Sequence, residues 1–442
     1  MARFRQKSCI TFIGLVLLLL IITIFLKSFV PEGSPFGHPF SFELFSSIKG
    51  PRKNEIVFNK TALIKEKYPY SKGIKNMEDN FWQYPVPNYN VHAFYYTWYG
   101  NTHFDGKYIH WDHPLLPHWD SKVAARYPKG KHSPPDDIGA NFYPALGAYS
   151  SRDPSVIESH MKQLRKAAIG VLAVSWYPPG MNDENGEPTD DIVPSILEVA
   201  HKYDVKVAFH IEPYKGRDET SMLNNVKYII EQYGEHPAFY RHTTNTGKFL
   251  PVFYVYDSYL LKSEQWAKLL KHTEGSSVRD TPYDGIFIAL LVEEKHKRDI
   301  ITGGFDGVYT YFATNGFSYG STHRKWKSIK TFCEDNNLLF IPSVGPGYVD
   351  TSIRPWNFKN TRNRNNGRYY EMAFRSALEA DADIVSITSF NEWHEGTQIE
   401  MAIPKTSQTV YLDYLPHKPV VYLEITRKWA TVFSRERKRW PE

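Results

Sequence analysis

A chain of 442 residues with a formal net charge of +5 and 23% charged residues has the size and balance of a globular protein with a large core. Only two cysteines occur, which excludes a small disulfide-stapled module, and the basic residues are spread too evenly for a nucleic-acid partner. Aromatic residues reach 15%, including 30 Tyr and 11 Trp, more than a core requires; stacking on sugar faces is one use for the excess and an aromatic-rich core is the other.

The first seven residues, Met1-Ala2-Arg3-Phe4-Arg5-Gln6-Lys7, carry three basic groups, and no further charge appears until Lys27. The apolar stretch 8–26 has about the length a membrane-crossing helix needs, roughly 17 to 25 residues. A cleaved signal peptide is the competing reading, but Phe29-Val30-Pro31 lacks the small residues of a cleavage site. The charge bias predicts a cytosolic tail (1–7), a transmembrane signal anchor (8–26) and a lumenal remainder, a single-pass type II arrangement of the Golgi or endoplasmic reticulum. Residues 27–89, with Pro31, Gly33, Pro35, Gly37 and Pro39, read as an irregular stem, and Asn59-Lys60-Thr61 within it is a glycosylation sequon at Asn59.

From residue 90 to 442 buried-strand runs alternate with helical patterns. The runs are 91–96, 170–176, 205–211, 250–256, 285–291, 307–311, 338–344 and 384–390. Continuous apolar runs separated by helices predict parallel strands covered on both faces, and their number fits a (β/α)8 TIM barrel with extended βα loops. Helices are predicted at 192–203, 222–233, 264–272, 323–336, 369–379 and 422–435. A further one begins at Asp153 as cap and Pro154 in the first turn, and ends before Gly170. The rival, a doubly wound open sheet, lacks the Gly-rich turn that should follow the first strand. Cys333 falls on a helix and reads as a small buried apolar residue, and the basic stretches 362–368 and 435–439 read as solvated faces.

In such a barrel the active site lies at the carboxyl ends of the strands. Those ends supply Tyr96 and Trp98, Trp176 and Tyr177, His210 and Glu212, Tyr256, Glu293 and Glu294, Tyr311, and finally Asn391-Glu392-Trp393-His394-Glu395-Gly396. Glu392 and Glu395, three apart, diverge on a strand but come side by side on a turn. Crowding would then raise one pKa and leave the other group ionised, the division of labour glycoside cleavage requires. The His/Asp/Trp cluster between His110 and Asp120 has no metal-ligand spacing, so neither a metal nor a cofactor is expected.

Over residues 91–428 the chain resembles glycoside hydrolase family 99. The resemblance is carried by Phe94-Tyr95-Tyr96-Thr97-Trp98-Tyr99-Gly100, Val174-Ser175-Trp176-Tyr177-Pro178-Pro179, His210-Ile211-Glu212-Pro213-Tyr214, Thr310-Tyr311-Phe312-Ala313-Thr314-Asn315-Gly316, Pro342-Ser343-Val344-Gly345-Pro346-Gly347-Tyr348 and Phe390 to Gln398. It implies cleavage inside the arm of a glucosylated high-mannose N-glycan, between an α-1,2-linked mannose and a mannose capped by glucose, with retained configuration. Glu395 would be the general acid/base and Glu392 the base that deprotonates the sugar's own 2-hydroxyl, giving a 1,2-anhydro sugar. Direct attack by Glu392 to form a glycosyl-enzyme remains the alternative. The resemblance further places Trp176 and Tyr311 against the reacting mannose and Asp183 on the terminal glucose. Tyr96, Trp98, Tyr177, His210, Glu212 and Asn391 join the pocket by strand position. Two other classes compete: a Golgi glycosyltransferase, whose Asp-x-Asp could only be Asp381-Ala382-Asp383 ahead of the last strand, and an inactive glycan-binding homologue.

Overall fold

The computed structural model describes residues 84–438 except 273–275 and 408. The tail at 1–7, the apolar stretch 8–26, nearly all of the 27–89 stem and the Asn59 sequon lie outside those residues. Among the described residues no helix is long and apolar enough to cross a membrane.

Eight parallel strands alternate with eight helices. The strands are β1 (Asn88–Tyr95), β2 (Ile169–Trp176), β3 (Lys206–Ile211), β4 (Phe249–Val255), β5 (Ile286–Leu290), β6 (Gly307–Tyr309), β7 (Leu339–Ile341, resuming as Ser343–Val344) and β8 (Val385–Ile387). The helices that follow them are α1 (Pro154–Lys166), α2 (Val193–Lys202), α3 (Glu219–Tyr233), α4 (Ser263–Leu270), α5 (His296–Gly303), α6 (Trp326–Asp335), α7 (Arg368–Glu379) and α8 (Val421–Lys438). Each strand pairs with its sequence neighbour, and β8 pairs with β1 through Val91 and Val385. Closure turns on Pro342, which has no N–H to give. The segment before it pairs with β6 and the two residues after it pair with β8, so the seventh strand hands over from one neighbour to the other. All eight predicted strands are present; the first two start earlier than predicted, at Asn88 and Ile169, and the last three end short of the predicted bounds or break at Pro342.

Two expectations need correction. Helix α5 escapes the sequence pattern because its sequence, His296 to Gly303, is short, mostly polar and rich in β-branched residues, so packing rather than propensity holds it. Helix α1 begins as predicted, with Asp153 accepting from the Ser155 N–H at 2.8 Å, but Gly170 does not stop it. Ala168, at φ +60°, makes the left-handed turn instead, and Gly170 lies inside β2. A Cβ there would sit 2.5 Å from the Asn88 carbonyl group, so Gly170 is required for β1 and β2 to approach each other. Gly170→Ala should lower stability by about 1–3 kcal/mol, seen as a fall in Tm with unchanged active-site residues.

The barrel interior accounts for much of the aromatic excess. Phe94, His210, Tyr254 and Tyr309 fill it with ring centroids 4.7–6.4 Å apart, all essentially without solvent exposure. Cys333 is buried on α6, where burial pushes its thiol up to about 12.

Candidate active site

Beyond β8 the chain drops into a tight turn, with the Gly396 N–H donating to the Trp393 carbonyl at 3.2 Å. Both ends of the turn are fastened. The Glu392 N–H donates to Ser389 Oγ at 2.7 Å, and the Glu395 carbonyl accepts from the Val349 N–H at 2.8 Å. Glu392 Oε1 in turn accepts the His394 N–H at 3.0 Å. Around the turn stand the strand-end residues. The hydroxyls of Tyr96 and Tyr311 touch, and both phenols lie within range of the charges of Glu392 and Glu395. Tyr311 is held at φ +46°, a conformation that a bulky residue adopts only when its surroundings compel it. Glu395 opens onto a cavity of about 420 Å³ lined also by Trp119, Phe312, Tyr348, Arg354 and Trp356.

Burial dominates the electrostatics of the pair. It raises Glu395 from 4.5 to about 7, against the pull of Arg354, and it raises Glu392 as well, where the Glu395 charge adds to it. Two crowded, buried carboxyl groups resist losing both protons, so one can serve as acid while the other serves as base. A carboxyl group whose pKa rises on folding favours the native state below its unfolded value and loses that contribution as pH climbs to the folded value. Glu395→Gln should accordingly gain thermal stability over the wild type as pH rises from 4.5 to about 7, and calorimetry across that range checks it.

With this geometry in place, likeness to known proteins is informative. The profile of glycosyl hydrolase family 99 matches residues 86–435, which takes in every barrel strand and the whole turn. The chain belongs to glycosyl hydrolase family 99. It is thus a glycosidase. It is 59% identical to the glycoprotein endo-alpha-1,2-mannosidase of Xenopus laevis, covering 100% of each sequence. It is 64% identical to the human glycoprotein endo-alpha-1,2-mannosidase-like protein over 79% of this chain and 77% of that one. Among solved structures, the GH99 endo-alpha-mannosidase from Bacteroides thetaiotaomicron superposes with a TM-score of 0.73 at 46% identity, covering 80% of this chain and 100% of that one.

Not every sequence-named residue of this family 99 site faces the cleft. Asn391 is fully buried, with its Oδ1 accepting the Tyr96 N–H at 2.8 Å and its Nδ2 donating to the Tyr96 carbonyl at 2.9 Å. It ties the turn to the end of β1. His210 is also fully buried: Nε2 lies 2.8 Å from the Tyr309 hydroxyl, and the ring stacks beneath Tyr311 at 5.7 Å. It supports Tyr311. Its neighbour Glu212 accepts from Ser175 Oγ at 2.7 Å, and Trp176 donates its indole N–H to Asp190 at 2.6 Å. Tyr177 and Trp98 are half-buried; burial raises the Tyr177 phenol, and Trp98 stacks on Tyr96 at 4.6 Å. Asp183 lies across the site in the loop that follows β2, 3.2 Å from His110. Glu293 faces solvent, paired with Lys295 at 2.8 Å, and takes no part.

Sequence reasoning missed four supports of the family 99 turn. Asp350 gathers Tyr348, Arg354 and Asn357 beside Glu395, accepting from them at 2.9, 3.1 and 2.8 Å. Arg364, expected on a solvated face, is instead buried between Phe142, Tyr414 and Tyr422 and donates to the carbonyls of Gly396 and Gln398 at 2.9 and 2.7 Å. Its companions in the basic stretch hid it. Glu400 accepts from Tyr149 at 2.9 Å and from the Trp393 indole at 3.0 Å. His110 belongs to the His/Asp/Trp cluster, which was weighed only as a metal site.

Proposed function

We propose that this family 99 glycosidase acts within the arm of a glucosylated high-mannose N-glycan, hydrolysing the α-1,2-mannosidic bond next to the glucose-capped mannose. The observation that carries the reading is the pair of buried carboxyl groups on one tight turn beside Tyr96 and Tyr311, both pushed up by burial. In the first step Glu395 gives its proton to the departing glycosidic oxygen while Glu392 takes the proton of the mannose 2-hydroxyl, whose oxygen closes on the anomeric carbon. The proton lost by Glu395 is matched by one gained at Glu392, so the charge of the pair is unchanged through the step. A 2-hydroxyl donating to Glu392 favours its ionised form and leaves the shared proton on Glu395, ready for that step. In the second step water attacks the anomeric carbon, Glu395 takes its proton, and Glu392 returns its own to the 2-oxygen. Two displacements on one carbon retain configuration.

The cavity on the Glu395 side, with Arg354, Trp119 and Trp356, takes the leaving arm, and Asp183 takes the glucose end. The stretch 8–26 serves as a type II signal anchor in the Golgi membrane, supported by three basic residues ahead of it and its length, with the barrel in the lumen. Incubating the full chain with glucosylated and unglucosylated high-mannose glycans tests the substrate. Release of a glucosyl-mannose disaccharide or a longer glucosylated piece from the first alone is expected, and release of free glucose or free mannose would refute the endo-acting reading.

A further inference from the structure

On the glucose-facing side of the turn, hydrogen bonds run through two imidazoles. His394 Nδ1 lies 2.6 Å from the Gly139 carbonyl, His394 Nε2 lies 3.2 Å from His110 Nδ1, and His110 Nε2 lies 3.2 Å from Asp183 Oδ1. Protons can be counted along this chain. A carbonyl only accepts, so His394 Nδ1 carries one. The contact between the rings needs one more. Asp183 also accepts the Asn185 N–H at 3.2 Å, and an ionised carboxylate there requires a third on His110 Nε2. Three ring protons on two imidazoles amount to one positive charge.

We propose that His110 and His394 share three ring protons, and that the resulting charge fastens Asp183 to the catalytic turn, making His110 a positioning residue that couples the glucose end of the site to Glu392. The clause about glucose rests on the function proposed above; the proton count does not. The charge lies on His110. His394 is disfavoured by its burial and by the neighbouring His113, His110 and Arg354, whereas Asp183 is drawn down by His110 and by backbone N–H groups against the cost of its burial. Trp98 stacks flat on the His110 ring, 4.5 Å away at 10°, a cation–π arrangement. The other groups facing His110 are Tyr99 and His113, whose rings lie 6.2 Å away. His110 itself is held at φ +63°, so the fold forces the ring into this place.

Two consequences reach the chemistry. His394 is pinned at both ring nitrogens, and that aims its backbone N–H at Glu392 Oε1. The Asp183 charge acts against ionisation of Glu392, and a cation on His110 offsets it. Without the third proton one lone pair would have to face another across 3.2 Å, and the Asp183 loop would lose its tie to the turn.

The test uses the full chain with ¹⁵N-labelled histidine, compared with His110→Gln and Gly186→Ala. The second variant leaves every titratable group in place but would set a Cβ 2.5 Å from Asp183 Oδ1 and 3.0 Å from His110 Nε2, wedging the bridge open. In the wild type, ¹⁵N spectra should show both His110 nitrogens protonated at neutral pH, without any substrate present. In both variants KM for the glucosylated glycan should be about tenfold higher, the worth of one charge-assisted hydrogen bond, with kcat little changed. A singly protonated His110 at neutral pH, or a KM unchanged in both variants, would overturn the inference. Absence of turnover with a doubly protonated His110 would instead count against the substrate assignment alone.

Discussion

Glu395→Gln is expected to reduce kcat/KM on a glucosylated high-mannose glycan about 10³-fold, the scale of a lost general acid, while the dissociation constant for the same glycan stays within a few-fold. The amide keeps the shape of the side chain and its place beside Arg354 and Tyr348, so the fold and the leaving-arm cavity survive. Substrates with a good leaving group need less protonation, and for them the deficit in the first step should shrink. Glu392→Gln should be as severe with either kind of substrate, since closure of the 2-oxygen on the anomeric carbon precedes all product. A glycan lacking that 2-hydroxyl should resist the wild type, and a covalent adduct trapped on Glu392 would show the glycosyl-enzyme route instead. If either Gln variant retained near wild-type turnover, the pair would not be the catalytic machinery.

The second large effect lies behind the turn. Glu400 has no solvent exposure, and its carboxylate faces His160 Nε2 at 3.1 Å as well as the Tyr149 hydroxyl and the Trp393 indole. Tyr95 completes the cluster, its hydroxyl 2.9 Å from His160 Nδ1. Replacing Glu400 with Leu fills the volume but leaves these donors unpaired in a dry interior, which costs about 3–5 kcal/mol. Denaturant unfolding should show a clear fall in midpoint. Trp393 sits between Glu392 and Glu395 in sequence, so kcat should fall as well, while Glu400→Gln, which keeps one acceptor, should recover part of both losses. A Leu variant as stable as the wild type would mean that the cluster merely fills space.

How much of this was legible in the sequence follows from the physics of each feature. The strands were, because parallel strands covered on both faces read as unbroken apolar runs; α5 was not, because tertiary packing overrides its weak intrinsic preference. Glu392 and Glu395 stood out because no packing demand places two acids at the end of a buried strand. Asn391 and His210 are named from strand position, and their burial and protein partners emerge only from the structure, since sequence gives position along a strand and not the direction of a side chain. Arg364, Glu400 and His110 were missed because each acts through partners far away in the chain, His110 with Asp183 and His394, Arg364 with Gly396 and Gln398, Glu400 with Tyr149; Asp350 has near partners but matters only through the place its loop takes beside Glu395. Such contacts exist only once the loops after β1, β2, β7 and β8 have converged.

The most direct test of two carboxyl groups working in turn on one carbon is the anomeric form of the first product, followed by proton NMR before mutarotation. The α-configured reducing sugar should accumulate first, as two successive displacements require. Initial release of the β-anomer would mean a single displacement by water and would contradict the account.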